Sequence, residues 1–386
     1  METIRYLKQT FPFFFIIVTC TFFLCTSMLS FVLACAAAAL LWLSYTLIRT
    51  RRAAKVEPTR AAEKHAKTQE ITPLEGLDWE NEEPKQLRPF KPTYHITMAL
   101  RADTPQELIT IDRDYRSRVL LRRSLLAQHP STVHGCTAPG AAAVRELYTH
   151  LLTTHLPARY PTIFQLVGSG SLLHNAATGA THPTTPPDDD SGGAEAALRV
   201  LGETVEEDLF LLRETPRGHE STAFVCCFPA GFDPSEKLGR LLSEIHAPVP
   251  GYDKIGASME RFFGKLEVGK SVKRMNWTVQ THDQLFNCKA NHDLAGQDSS
   301  TPDQNVDISQ TFVRIELQTL TRLPQTRAIL FSFKTYMYPV QQIKSEGGGP
   351  AFADAVEGLA TGNAPGMRTY KGSVRWGKAV CEYLRS

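Results

Sequence analysis

Thr311-Phe312-Val313-Arg314-Ile315-Glu316-Leu317-Gln318-Thr319-Leu320-Thr321-Arg322 decides the fold. Val313, Ile315 and Leu317 alternate with Arg314, Glu316 and Gln318, the period of two expected of a strand whose two faces differ. Leu323-Pro324-Gln325-Thr326-Arg327 makes a turn, and residues 328–340 return with Ile329, Phe331 and Phe333 on one face. The pair reads as an antiparallel hairpin. Upstream, residues 141–156 carry Val144, Leu147, Tyr148, Leu151 and Leu152 at helical spacing, with Pro157 as the stop. Residues 198–212 and 255–266 also read as helices, and 222–228 as a short β-type run. Asp233-Pro234-Ser235-Glu236 is a strong helix start, and that helix is expected to run to His246, where Pro248 and Pro250 forbid more turns. Helices gathered before a hairpin-rich C-terminal part argue for an α+β fold, an antiparallel sheet with flanking helices.

The chain has 386 residues, 42% of them apolar, enough to bury a core, and a net charge of +2 with no basic block interleaved with aromatics. That balance gives no reason to expect a nucleic-acid partner. The apolar content is uneven. Between Lys8 and Arg49 there is no charged residue. About 20 apolar residues cross a bilayer as a helix, so residues 1–48 read as a membrane anchor, either one long tilted span or two short spans. A signal peptide would need an apolar stretch of only about 7–15 residues. Arg49, Arg51, Arg52 and Lys55 make the heavier basic flank, which stays cytoplasmic as a rule. The expectation is therefore a single- or double-pass membrane protein with a cytosolic domain, in the endoplasmic reticulum by default. Residues 49–90 read as a linker, and 91–386 as the folded domain. Within it, 176–195 read as a disordered insertion and 345–366 as a second soft region. Cys136, Cys226, Cys227, Cys288 and Cys381 form neither a disulfide framework nor a CxxC pair. The sequon Asn276-Trp277-Thr278 falls in expected core and reads as accidental.

The chain carries no Walker loop, GxGxxG, GxSxG, HExxH or kinase set. Three groups remain. His246, at a helix end followed by two prolines, offers a fixed neutral imidazole, as an axial metal or haem ligand must; a helix-capping role is the alternative. Arg274-Met275-Asn276-Trp277 supplies a cation for a carboxylate, with Asn and Trp to shape a pocket; an ordinary strand with a buried Trp is the alternative. Arg314, Glu316 and Gln318 stand about 6.7 Å apart along one strand face. They line either solvent or a cavity.

At these residues the chain resembles a family, the alpha-subunit-like proteins of the haem-dependent oxidative N-demethylases, over residues 94–372. The matching stretches include Leu156-Pro157-Ala158-Arg159-Tyr160-Pro161, Glu206-Glu207-Asp208, Lys237-Leu238-Gly239, residues 245–250 and 274–277, Arg314-Ile315-Glu316-Leu317-Gln318 with its continuation to Pro324, residues 331–336, and Tyr370-Lys371-Gly372. The resemblance, to a group with many fungal members, implies a PAS-like fold that binds haem b. It also implies an oxidoreductase of oxidase, monooxygenase or N-demethylase type, acting on a small amine or secondary metabolite with oxygen and electrons from NADPH. His246 is then the implied haem ligand, and Arg274, Asn276, Trp277, Arg314, Glu316 and Gln318 are pocket or propionate candidates. No flavin or iron–sulfur signature accompanies them, so a separate reductase or electron carrier is implied. A haem-binding sensor without turnover, or an anchored scaffold, is the alternative.

Overall fold

The structure, a computed structural model, describes residues 71–188, 192–289 and 306–386. The expected anchor, residues 1–48, and residues 49–70 of the expected linker lie outside these. Among the described residues no helix is long and apolar enough to cross a membrane.

The hairpin read from the sequence is the centre of the domain. Strands β9 (Phe312–Arg322) and β10 (Ile329–Pro339) pair antiparallel through their whole length. They belong to a seven-stranded sheet, which also takes in β1 (Arg101–Asp103), β2 (His134–Cys136), β6 (Asp208–Thr215), β7 (Gly218–Val225) and β8 (Ser271–Gln280). Its order is β1-β8-β9-β10-β6-β7-β2, with every pair antiparallel. A separate three-stranded sheet is formed by β3 (Phe164–Val167), β4 (Leu172–Asn175) and β5 (Ala180–Pro183).

One face of the large sheet is covered by helices. Leu209, Leu211, Ala223, Val225 and Leu330 pack with residues of α1 (Tyr115–Gln128), α2 (Ala141–Thr149) and α3 (Gly193–Gly202). Beside them, Trp277, Val279, Val313, Ile315, Tyr336 and Tyr338 pack with the C-terminal helices. The chain crosses the opposite face between β7 and β8, through the one-turn α4 (Leu242–Ile245) and the longer α5 (Gly256–Lys265). The C-terminal helices are α6 (Val340–Ser345), α7 (Gly349–Glu357) and α8 (Ser373–Arg385), contributing Ile343, Phe352, Val356, Trp376 and Val380.

The structure corrects several expectations. Residues 71–90, read as linker, lie along the folded body. Leu74, Leu77 and Trp79 pack on one core and Leu87 and Phe90 on the other. The Leu87 amide donates to the Tyr338 hydroxyl, and Arg88 pairs with Glu346. Polar composition concealed a few apolar anchors spaced along an extended strap. Within 176–195, residues Ala180–Pro183 form β5 and Gly193 opens α3. Residues 345–366 include α7, whose Pro350 sits in the first turn, where a missing N–H costs nothing. Pro157 does not stop its helix: a π turn, His150–His155, precedes it and the helix runs on to Arg159. The expected helix over 198–212 ends at Gly202, and Asp208 opens β6. Leu209, Phe210, Leu211 and Leu212 are apolar on both faces because that strand is buried on both.

Glu206, Glu207 and Asp208 therefore close no helix; they are buried in the core. Asp208 accepts from Arg122 and from the backbone amides of Cys227 and Phe228. Lys334 bridges Asp112 at 2.7 Å and Glu206 at 2.9 Å. Glu207 accepts from the Thr110 amide, but burial, with the Glu206 charge adding to it against Lys334, pushes its carboxyl up to about 7. A carboxyl that holds its proton more tightly when folded costs stability once that proton is lost. Stability contributed by this group is thus present below the unfolded value of about 4.3 and declines as pH rises towards 7. The shift corresponds to roughly 3 kcal/mol. We expect the urea midpoint to fall between pH 5 and pH 8, and Glu207→Gln to flatten that fall. Lys334→Met leaves two buried carboxylates unpaired and is expected to cost about 3–5 kcal/mol in the same measurement.

Candidate functional site

The face of the sheet crossed by α4 and α5 forms the floor of a cavity of about 940 Å³. Its floor is apolar at one end, where Phe210, Leu212, Leu320, Phe331 and Phe333 project from β6, β9 and β10. At the other end it is polar, with Arg274 and Asn276 from β8 and Glu316 and Gln318 from β9. Strand register explains this grouping: Asn276 pairs with Glu316, Arg274 with Gln318, and Leu320 with Phe331, so all share a face. Met259 and Phe263 of α5 and the residues around α4 line the cavity from across it. A bulge between Leu211 and Leu212 shifts the β6–β7 register, so that Ser221 as well as Phe224 falls on the cavity side.

His246 lines this cavity. It lies just beyond α4, a single helical turn, where the sequence suggested a helix from Asp233. Asp233 does cap a first turn, accepting from the Ser235 amide, but that turn is a short 3₁₀ segment, Pro234–Lys237. Gly239 then adopts a φ of 74°, and its amide donates to the Ser221 carbonyl, which draws the chain to the sheet edge. The Glu244 carboxylate caps the next turn by accepting from the Leu241 amide. His246 is nonetheless held firmly. Its Nδ1–H donates to the Leu242 carbonyl at 2.9 Å, and its ring stacks on Tyr252 with centroids 5.0 Å apart. That hydrogen bond fixes the tautomer and leaves Nε2 with its lone pair. Burial lowers the pKa, opposed by the Leu242 bond and reinforced by Arg274 and Lys237. The imidazole is therefore neutral at pH 7, the form that ligates a metal.

The polar end is a network around Lys371. Its Nζ donates to the Asn276 side chain at 3.1 Å and to the Trp277 carbonyl. Burial lowers its pKa to about 8, with Glu316 opposing and Arg274 adding to the shift. Gln318 donates to the Glu316 carboxylate at 2.8 Å. Burial also lowers the pKa of Arg274. Tyr94 and Tyr370 complete this end, and burial pushes the Tyr370 phenol up to about 12.

The sequence-based candidates thus separate. His246, Arg274, Asn276, Glu316 and Gln318 line one cavity. Trp277 does not; its ring faces the helix-covered side, edge-on to Phe352 at 5.3 Å. Alternation along β8 places it opposite Asn276. Arg314 shares the cavity face but is fully buried beyond the cavity end, donating to the Phe228 and Leu285 carbonyls. Lys371, Tyr94 and Tyr370 were missed, as were Lys237 and Arg240 at the rim. Lys371 lay within a matched stretch, but no periodicity could show that it reaches across to β8.

The residues present suit a porphyrin. An imidazole with one free nitrogen, flat aromatic and aliphatic walls, and cations at the polar end and the rim meet an iron, a ring and carboxylates in turn. Among the described residues no group of three His, Cys, Asp or Glu could hold a bare metal ion. A lone imidazole suits a metal whose other ligands come with a macrocycle. The family model described as haem-dependent oxidative N-demethylase, alpha subunit-like, matches residues 99–381. Those residues carry β6 to β10, α4, α5 and His246, so the chain belongs to the haem-dependent oxidative N-demethylase alpha-subunit-like family.

Proposed function

We propose that this protein is a haem-dependent oxidoreductase that binds haem b through His246 Nε2 and acts on a small amine or secondary metabolite. The observation that carries the reading is the hydrogen bond from His246 Nδ1 to the Leu242 carbonyl, made at the wall of a cavity of about 940 Å³. That volume lies at the upper end of the range for ligand pockets, room for a porphyrin with a small molecule beside it. The order β7-β6-β10-β9-β8, crossed by helices between β7 and β8, supports the PAS-like description.

The bound haem would supply the activation of oxygen. The chain's own residues hold and orient. The Leu242 carbonyl keeps the imidazole in one tautomer, and Tyr252 keeps its plane. Phe210, Phe331 and Phe333 exclude water from the ring's surroundings. Glu316, steadied by Gln318, is the carboxylate at the polar end of the cavity able to bind an ammonium group or take its proton. Removing an N-methyl group as formaldehyde with oxygen consumes two electrons and two protons and yields water. The chain shows no flavin or iron–sulfur signature, so we assign the electrons to NADPH through a separate reductase. The uncharged stretch between Lys8 and Arg49 leads us to place the protein on a membrane, the endoplasmic reticulum by default, with this domain in the cytosol.

Protein made with ample haem is expected to show a Soret band that His246→Ala removes. A colourless wild type, or a band indifferent to that change, overturns the proposal. With a supplied NADPH-dependent reductase, an N-methylamine is expected to stimulate oxygen uptake with formaldehyde release, and Glu316→Gln to lower it at least about tenfold. A Soret band with no amine-dependent uptake across a panel of N-methylamines would leave a haem-binding sensor in place of the enzyme.

A further inference from the structure

Arg274 is a partly buried cation on β8. It lines the cavity, yet among the described residues its guanidinium makes no hydrogen bond and no ion pair, and its Nε is sealed from solvent. Lys371 stands close by, 3% exposed, with its Nζ on Asn276 and on the Trp277 carbonyl. Glu316 is the carboxylate whose field reaches both. Two cations facing one carboxylate leave this end of the cavity one positive charge in excess. Buried charges persist when something pairs them.

We propose that Arg274 and Lys371 form a carboxylate-binding subsite at the polar end of the cavity. The guanidinium has its planar fork of donors uncommitted, the geometry that grips a carboxylate bidentately. Lys371 contributes charge, because two of its donors are already engaged. The inference deepens the haem reading and rests on it for the identity of the occupant. A propionate of the porphyrin and a carboxylate carried by the amine substrate present the same chemistry. In the second case Glu316 lies beside the subsite to meet the ammonium group, and the substrate class would be N-methylated amino acids.

Two arms separate the sources. In the first, the full chain is titrated with haem b and with its dimethyl ester. In the second, haem-loaded protein is titrated with N-methylglycine and with its methyl ester, followed by absorbance. The free acid is expected to bind at least about tenfold tighter than the ester in one arm, the change carried by one charge-assisted hydrogen bond. Arg274→Gln is expected to bring that ratio close to one, and Arg274→Lys to keep most of it. A preference in the porphyrin arm assigns the subsite to propionate; one in the amine arm assigns it to substrate. Arg274→Gln is further expected to leave the melting temperature of the ligand-free protein unchanged or higher, because it removes a partly buried charge that no hydrogen bond or ion pair among the described residues stabilises. No acid preference in either arm, or a preference that survives Arg274→Gln, overturns the subsite. Metal-free protoporphyrin and its dimethyl ester, followed by fluorescence on His246→Ala, keep the two questions apart. An Arg274-dependent preference there, with no Soret band in the wild type, would sink the iron ligand and leave the propionate-type subsite standing.

Discussion

Three adjoining strands, β8, β9 and β10, pair without interruption and must each serve two unlike surroundings. On one side Trp277, Ile315 and Tyr336 meet helices; on the other Arg274, Glu316 and Phe333 meet a cavity. Because side chains alternate strictly, a slip of one residue would send charged groups into the helical core and tryptophan into the cavity. The full register between β9 and β10, from Phe312 opposite Pro339 to Arg322 opposite Ile329, is what prevents it. Arg274, Asn276, Glu316 and Gln318 depend on that register, and His246 on the crossover connection between β7 and β8.

The division of labour has an energetic side. Stability comes mainly from the helix-covered face, where two clusters of fully buried apolar side chains meet the sheet. The opposite face is thereby released from close packing, and it can retain a large cavity and a cation that, among the described residues, makes no hydrogen bond or ion pair. Functional sites commonly carry such local costs while the rest of the fold compensates. The single turn of α4 fits the same pattern. It buries Leu242 alone, and serves chiefly to present a carbonyl to the ring of His246.

The central hairpin was legible in the sequence because residues 313–318 alternate apolar with polar and two eleven-residue runs flank a proline-containing turn. His246 was legible through the prolines that follow it, although the long helix expected before it was not formed. Gly239 interrupts that helix, and a left-handed glycine inside an otherwise helical pattern gives little warning. Residues 208–212 were misread because a strand buried on both faces has no alternation to show. The second cation of the polar end was hidden for a different reason. Lys371 and Asn276 are 95 residues apart, and their contact is a product of tertiary packing alone. Trp277 and Arg314 looked equivalent to their neighbours in the sequence; pleat direction separates the first, and position along the sheet the second.

The strap before β1 bears on where this domain truly starts. The matched region begins at residue 99, yet Tyr94, Ile96, Thr97 and Met98 already form part of the cavity wall. Gly362 lies so close under Tyr94 that an added methyl group would sit 1.3 Å from the Tyr94 carbonyl oxygen. Such closeness makes the strap an inner surface of the domain, and its fastenings reach back at least to Leu74, whose amide bonds the Arg159 carbonyl. A polypeptide trimmed to the matched boundaries would be missing one side of its own cavity. Cuts meant to free this domain from the preceding stretch belong ahead of residue 71.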